Sequence, residues 1–185
     1  ATDVAVIGPH IGQTLTSGWY VVDGVVETGS LVVEGEVNLI LADGAKLTAT
    51  GGENQAGIEV TQGNALTIWG QSLGTGELVA HGGFHAAGIG GGESVSCGKV
   101  TINGGIVTAS SDGYAAGVGG GFNGNGGAVT INGGQVNAAG GAYGAGIGGG
   151  WGGAGGTVTI NGGTVYASHA YTASDIGGGR TGNNT

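Results

Sequence analysis

The chain has 185 residues, of which 50 are glycine, one is proline and one is cysteine; 8% are charged and the net charge is −9. So much glycine usually reads as disorder or collagen, but a lone Pro9 and the lack of a Gly-X-Y period exclude collagen. With only Lys46, Lys99 and Arg180 basic, nucleic acid is excluded as a partner; no apolar run approaches the ~18 residues of a membrane span.

Taken in order, Ala1 stands where a Met would begin a nascent chain, which suits a removed secretory signal. The segment Ala1 to Val26 reads as an N-terminal cap or first coil. Between Asp23 and Glu59 lie seven of the twelve acids, so this part is acidic and the rest nearly uncharged. Leu31-Val-Val, Val37-Asn-Leu-Ile-Leu, Lys46-Leu-Thr-Ala, Gly57-Ile-Glu-Val and Leu66-Thr-Ile-Trp are short β-branched or alternating runs separated by turn residues, and they read as strands.

From residue 82 onward a repeat takes over. Val-Thr-Ile-Asn-Gly-Gly begins at Val100, Val129 and Val158, each copy twenty-nine residues after the last. Ala-Gly-(Ile/Val)-Gly-Gly-Gly begins at Ala87, Ala116 and Ala145, with a decayed copy at Ser174, in the same phase. Disorder has no need of phase, so the ordered reading wins. Glycine recurs too often for a helix. Each unit instead carries two strands, Val100-Thr-Ile and Ile106-Val-Thr-Ala, around an Asn103-Gly-Gly corner.

Separate hairpins would leave each unit with too few large apolar residues to bury. Stacking one unit per coil solves this: equivalent residues then lie ~4.8 Å apart in parallel ladders. The expected fold is all-β, a right-handed parallel β-helix, with degenerate coils over 27–81 and regular coils over 82–185. The inward columns are Val100/Val129/Val158, Ile102/Ile131/Ile160, Val107/Val136/Val165 and Ile89/Val118/Ile147/Ile176. Asn103/Asn132/Asn161 is expected to form an amide ladder at one corner. The run from Arg180 to Thr185 stops short of another Val-Thr-Ile-Asn-Gly-Gly, as a fragment of a longer protein would. An uncovered last coil is also an edge for end-to-end association of copies.

These motifs resemble β-helical surface proteins of Gram-positive bacteria, often described as carbohydrate-binding-domain-like. The likeness rests on Ala-Gly-Ile-Gly-Gly-Gly followed by Val-Thr-Ile-Asn-Gly-Gly, preceded by Val37-Asn-Leu-Ile-Leu-Ala-Asp-Gly-Ala-Lys-Leu, and covers roughly Gly18 to Gly179. It implies secretion, a multi-module parent, and a role in adhesion or glycan attachment, with calcium as an occasional companion.

Column by column, the candidate chemistry narrows. The glycine motif has neither a following helix nor a lysine, so it is no phosphate loop. The turn position that carries Asp in calcium-binding β-rolls is Gly88, Gly117 and Gly146, which excludes a regular calcium roll. Asp23, Glu34, Glu36 and Asp43 are the candidate set for an isolated calcium ion; no other cofactor is called for. His81 and His85 cannot share a helical face here, and His10 and His169 stand alone in the sequence. Glu77, Glu93, Asp112 and Asp175 share no column, so no carboxylate pair for glycoside hydrolysis emerges. Nothing in the sequence singles out a serine with a histidine and an aspartate.

The aromatic residues do fall into columns. His85, Tyr114 and Tyr143 form one, and Phe122, Trp151 and Arg180 form another, flanking the glycine motif on either side. These six are the candidate ligand-binding residues, with Arg180 expected to stack on Trp151. The reading is a non-catalytic, adhesin-like module, secreted or held at the bacterial surface, that binds polysaccharide or a host or partner protein. The alternatives are a structural spacer, a polysaccharide-degrading enzyme, and an ice-binding face along Thr101/Thr130/Thr159.

Overall fold

A computed structural model describes residues 4–8 and 12–183. Ala1, His10, Asn184 and Thr185 therefore lie outside the described residues. The chain is a parallel β-helix: it winds through three faces per coil, and strands pair in parallel with their equivalents in the neighbouring coils.

The first face is built from very short strands, Ile58–Glu59, Ile89–Gly90, Val118–Gly119, Ile147–Gly148 and Ile176–Gly177. The second carries Ala65–Gly70, Lys99–Ile102, Ala128–Ile131 and Thr157–Ile160. The third carries Val25–Thr28, Lys46–Thr50, Glu77–Gly82, Ile106–Ser111, Gln135–Ala139 and Thr164–Ser168. Two long strands, Gln13–Val22 and Leu31–Leu41, cross from the first face to the second without a break. Val4–Val6 pairs with the second half of Gln13–Val22.

Coil length varies because the corners vary. Gln13 pairs with Leu31, eighteen residues on, so the first corners are tight. Ala65 pairs with Lys99, thirty-four residues on, around a long glycine loop. From Lys99 each partner lies one full repeat ahead: Val100 beside Val129 beside Val158.

The expected columns are in register and point inward. Val100, Ile102, Val107, Ile89, Val118 and Ile147 are all fully buried, as are their earlier counterparts Leu66, Ile68, Leu78 and Ile58. Burying each such side chain contributes ~1.5–3 kcal/mol, but one coil supplies only a handful, so no coil can close a core without neighbours. The columns lose cover in the last described coil, where Ile160 is 46% and Ile176 is 44% exposed.

The corner between the second and third faces holds the amide ladder. Asn132 Nδ2 donates to Asn103 Oδ1, and Asn161 Nδ2 to Asn132 Oδ1, each at 2.8 Å. In the earlier coils the same corner is capped differently: Asp43 accepts the Leu73 N–H at 3.1 Å.

Candidate functional site

The two aromatic columns sit on loops either side of the first face. One loop leads into its two-residue strands, the other leaves them. The loops are drawn together by backbone hydrogen bonds that recur from coil to coil. Phe122 N–H donates to the His85 carbonyl at 2.9 Å, Trp151 N–H to Tyr114 at 2.7 Å, and Arg180 N–H to Tyr143 at 2.9 Å. Glycine makes this approach feasible. At Gly119, φ is +143° and an added Cβ would fall on the Gly148 carbonyl oxygen of the next coil. A larger residue would hold the coils apart and open the space between the columns.

The rings stack within each column. His85 and Tyr114 have centroids 5.6 Å apart at 11°, and Tyr114 and Tyr143 are 5.3 Å apart at 19°. Phe122 and Trp151 are 5.0 Å apart at 14°. Between columns the rings meet edge to face: Tyr114 lies 5.5 Å from Phe122 at 73° and 6.1 Å from Trp151 at 61°. The columns thus form the two walls of one groove along the coil axis, of about 440 Å³, lined by His85, Tyr114, Phe122, Tyr143, Trp151 and Arg180.

All six sequence-derived binding residues line this groove, with one change of partner. The Arg180 guanidinium lies over the Tyr143 ring, 5.1 Å from its centroid, and not over Trp151 as the column suggested. The backbone bond from Arg180 to Tyr143 explains this: it starts the arginine beside the opposite wall.

Two further aromatics flank the first wall. Phe84 meets Tyr114 edge to face at 5.1 Å, its ring lying over Gly113. Tyr171 stacks on Tyr143 at 6.2 Å and is 74% exposed. Sequence columns missed both, because Gly113 and Ala142 occupy the same position in the coils between them.

Stacking also limits what the walls offer. Most ring faces are turned to another ring, so the groove presents mainly edges, with the tyrosine hydroxyls, the indole N–H, the imidazole and the guanidinium as its polar groups. His85 is braced by Asn54, whose Oδ1 is 2.9 Å from its Nδ1. No carboxylate lines the groove.

The candidate calcium residues are not gathered. Glu34 and Glu36 sit at the corner between the first and second faces, and Asp23 and Asp43 at the corner between the second and third. Among the described residues no three His, Cys, Asp or Glu side chains are placed to share a metal ion. His81 and His85 diverge: His85 lines the groove, while His81 lies on the third face against Ser110 and Asp112. His169 is paired with Asp175 at 2.8 Å. Cys97 is buried near the loop leaving the first face, and burial pushes its thiol up to about 12.

Residues 100–122, 129–151 and 158–170 match the family model for the beta helix repeat. That description agrees with the parallel β-helix of the structure. No curated protein and no solved structure matches the chain. The first two matched segments end on Phe122 and Trp151 and contain Tyr114 and Tyr143, so those four wall residues belong to the matched repeat unit and not to an insertion in it.

Proposed function

We propose that this β-helix belongs to a secreted or wall-displayed Gram-positive bacterial protein, and that its aromatic groove is a non-catalytic binding site that holds a glycan. The observation that carries the reading is the convergence of six side chains from both columns on one groove. A saccharide has apolar C–H patches rimmed by hydroxyls, and the groove pairs ring surface with tyrosine, indole and guanidinium donors in the same way. A partner protein's surface is the other occupant of this chemistry. The groove lacks the two carboxylates that glycosidic cleavage requires, which supports binding without reaction at this site.

A second reading is favoured by the face-to-face geometry: the ladder stabilises the coils and binds nothing. The test is retention on insoluble plant and host polysaccharides, for the wild type, Trp151→Glu and Tyr143→Thr. The repeat itself carries these replacements, with Glu93 at the Trp151 position two coils earlier and Thr172 at the Tyr143 position one coil later. Binding predicts retention of the wild type on at least one polysaccharide and its loss in both variants, with the circular dichroism spectrum unchanged. A protein retained on none of them, with variants that alter only the melting temperature, supports the structural ladder instead.

A further inference from the structure

A polar cluster lies on the third face, outside the groove lining. In the parallel register Ser110 stands directly beside His81, so their outward side chains meet: His81 Nδ1 and Ser110 Oγ are 2.8 Å apart. Ser111 turns inward and is buried, which brings Asp112 out on the same side as Ser110. Its Oδ1 stands 3.2 Å from His81 Nε2. Each ring nitrogen therefore has one partner. An ionised carboxylate only accepts, so the proton belongs on Nε2 and the Nδ1 lone pair accepts the Ser110 O–H. A hydroxyl within ~3.2 Å of a base that a third group orients is the arrangement of an activated nucleophile, recognised by geometry and not by sequence order.

Coil building accounts for none of these three side chains. One coil on, Ala139 stands beside Ser110; one coil back, Thr50 stands beside His81. The repeat interval carries Asp112 to Gly141. The neighbouring coils hold the same backbone path with small or unrelated residues, and the relay occurs where the repeat is broken.

We propose that Ser110 is a nucleophile activated by His81 and Asp112, acting on small carboxylic esters. Ser110 Oγ bonds to the ester carbonyl carbon while its proton passes to His81 Nδ1, and Asp112 stabilises the resulting imidazolium. The carbon–alkoxy bond breaks and the alcohol leaves with that proton. A water then adds to the acyl-serine in the same way and releases the carboxylic acid. The site is on an open face with Ala139 beside it, which suits short acyl groups displayed on a polymer. The backbone here is tied into ladders on both sides, so the acceleration expected is that of the nucleophile and base, ~10²–10⁴-fold.

The test is labelling by a fluorophosphonate, in which the Ser110 oxygen–phosphorus bond forms as fluoride leaves, read by intact mass and peptide mapping. The expected result is a single adduct on Ser110, absent in Ser110→Ala, slowed ~100-fold or more in His81→Thr, and slowed in Asp112→Asn. The first two variants copy neighbouring coils, so the fold is retained, and a circular dichroism melt checks it. The labelling needs no polysaccharide, so failure of this site is read separately from failure of the groove. An adduct at Ser110 no faster than at other hydroxyls, or equal rates in the wild type and His81→Thr, overturns the proposal.

Discussion

Replacing Gly119 by alanine tests why the coils are built from glycine. Gly119 is one of a column, Gly90, Gly119, Gly148 and Gly177, with φ between +138° and +143°. A residue with a Cβ held in this region costs ~1–3 kcal/mol. The methyl would also land on the Gly148 carbonyl oxygen. That carbonyl cannot swing away, because it accepts the Gly120 N–H at 2.9 Å, and Val118 N–H is bonded to Gly146 at 3.0 Å beside it. Forcing a methyl into such packing adds ~1–3 kcal/mol, so the whole change is about 4 kcal/mol. Gly44 is the control: its φ is +77° but nothing lies within 4 Å of an added Cβ, so Gly44→Ala should cost only about 1 kcal/mol. Urea unfolding followed by circular dichroism gives both values from the midpoints at a common slope. Equal losses for the two variants would refute the role assigned to close backbone stacking.

Other expectations follow from single side chains. Asn132→Ala removes one bond given and one received in the amide ladder and should lower stability by about 1 kcal/mol; a variant as stable as the wild type in urea would show the ladder to be incidental. Burial holds the Glu59 carboxyl above its ordinary 4.5. Between 4.5 and that raised value the folded state binds more protons than the unfolded, so stability falls as pH rises through the window and the penalty is constant above it. Glu59→Gln should therefore be the more stable protein at pH 7, with the difference vanishing as pH drops to 4.5 and below; a pH-independent difference in melting temperature contradicts this. The single thiol, Cys97, is 2% exposed with its proton held up to about 12, so a disulfide reagent should leave the native protein unmodified and titrate one thiol once it is unfolded. Rapid reaction in the native state would show that this corner opens.

What could be read in advance depended on whether neighbours in space were one period apart in sequence. Val100, Val129 and Val158 are, so the core columns and the Asn103/Asn132/Asn161 ladder were legible, and so was each aromatic column by itself. The meeting of the two columns was not. It depends on a bond from Phe122 N–H to the His85 carbonyl, which joins residues at an interval other than the repeat. The same bond one and two coils on decides that Arg180 falls on Tyr143. Phe84 and Tyr171 escaped because Gly113 and Ala142 interrupt their position. In the first coils the corners are so short that Gln13 pairs only eighteen residues ahead, and the period of the later coils does not reveal them. His81 and Ser110 do stand one period apart, yet neither is repeated in the adjoining coils, so no column of like residues marks them. Only the register, which turns both side chains outward, makes the pair visible.

The groove itself is best tested through its own tryptophan. The chain has three tryptophans; Trp19 and Trp69 stack on each other at 6.0 Å, apart from the groove lining, so the Trp19→Phe, Trp69→Phe double variant leaves Trp151 as the sole indole reporter. Titrating that variant with soluble oligosaccharides of a polysaccharide that retains the protein should shift and saturate the Trp151 emission, and Arg180→Gln in the same background should weaken the response. Retention on the polysaccharide with Trp151 emission unchanged at saturating oligosaccharide would place binding elsewhere on the β-helix and contradict the groove.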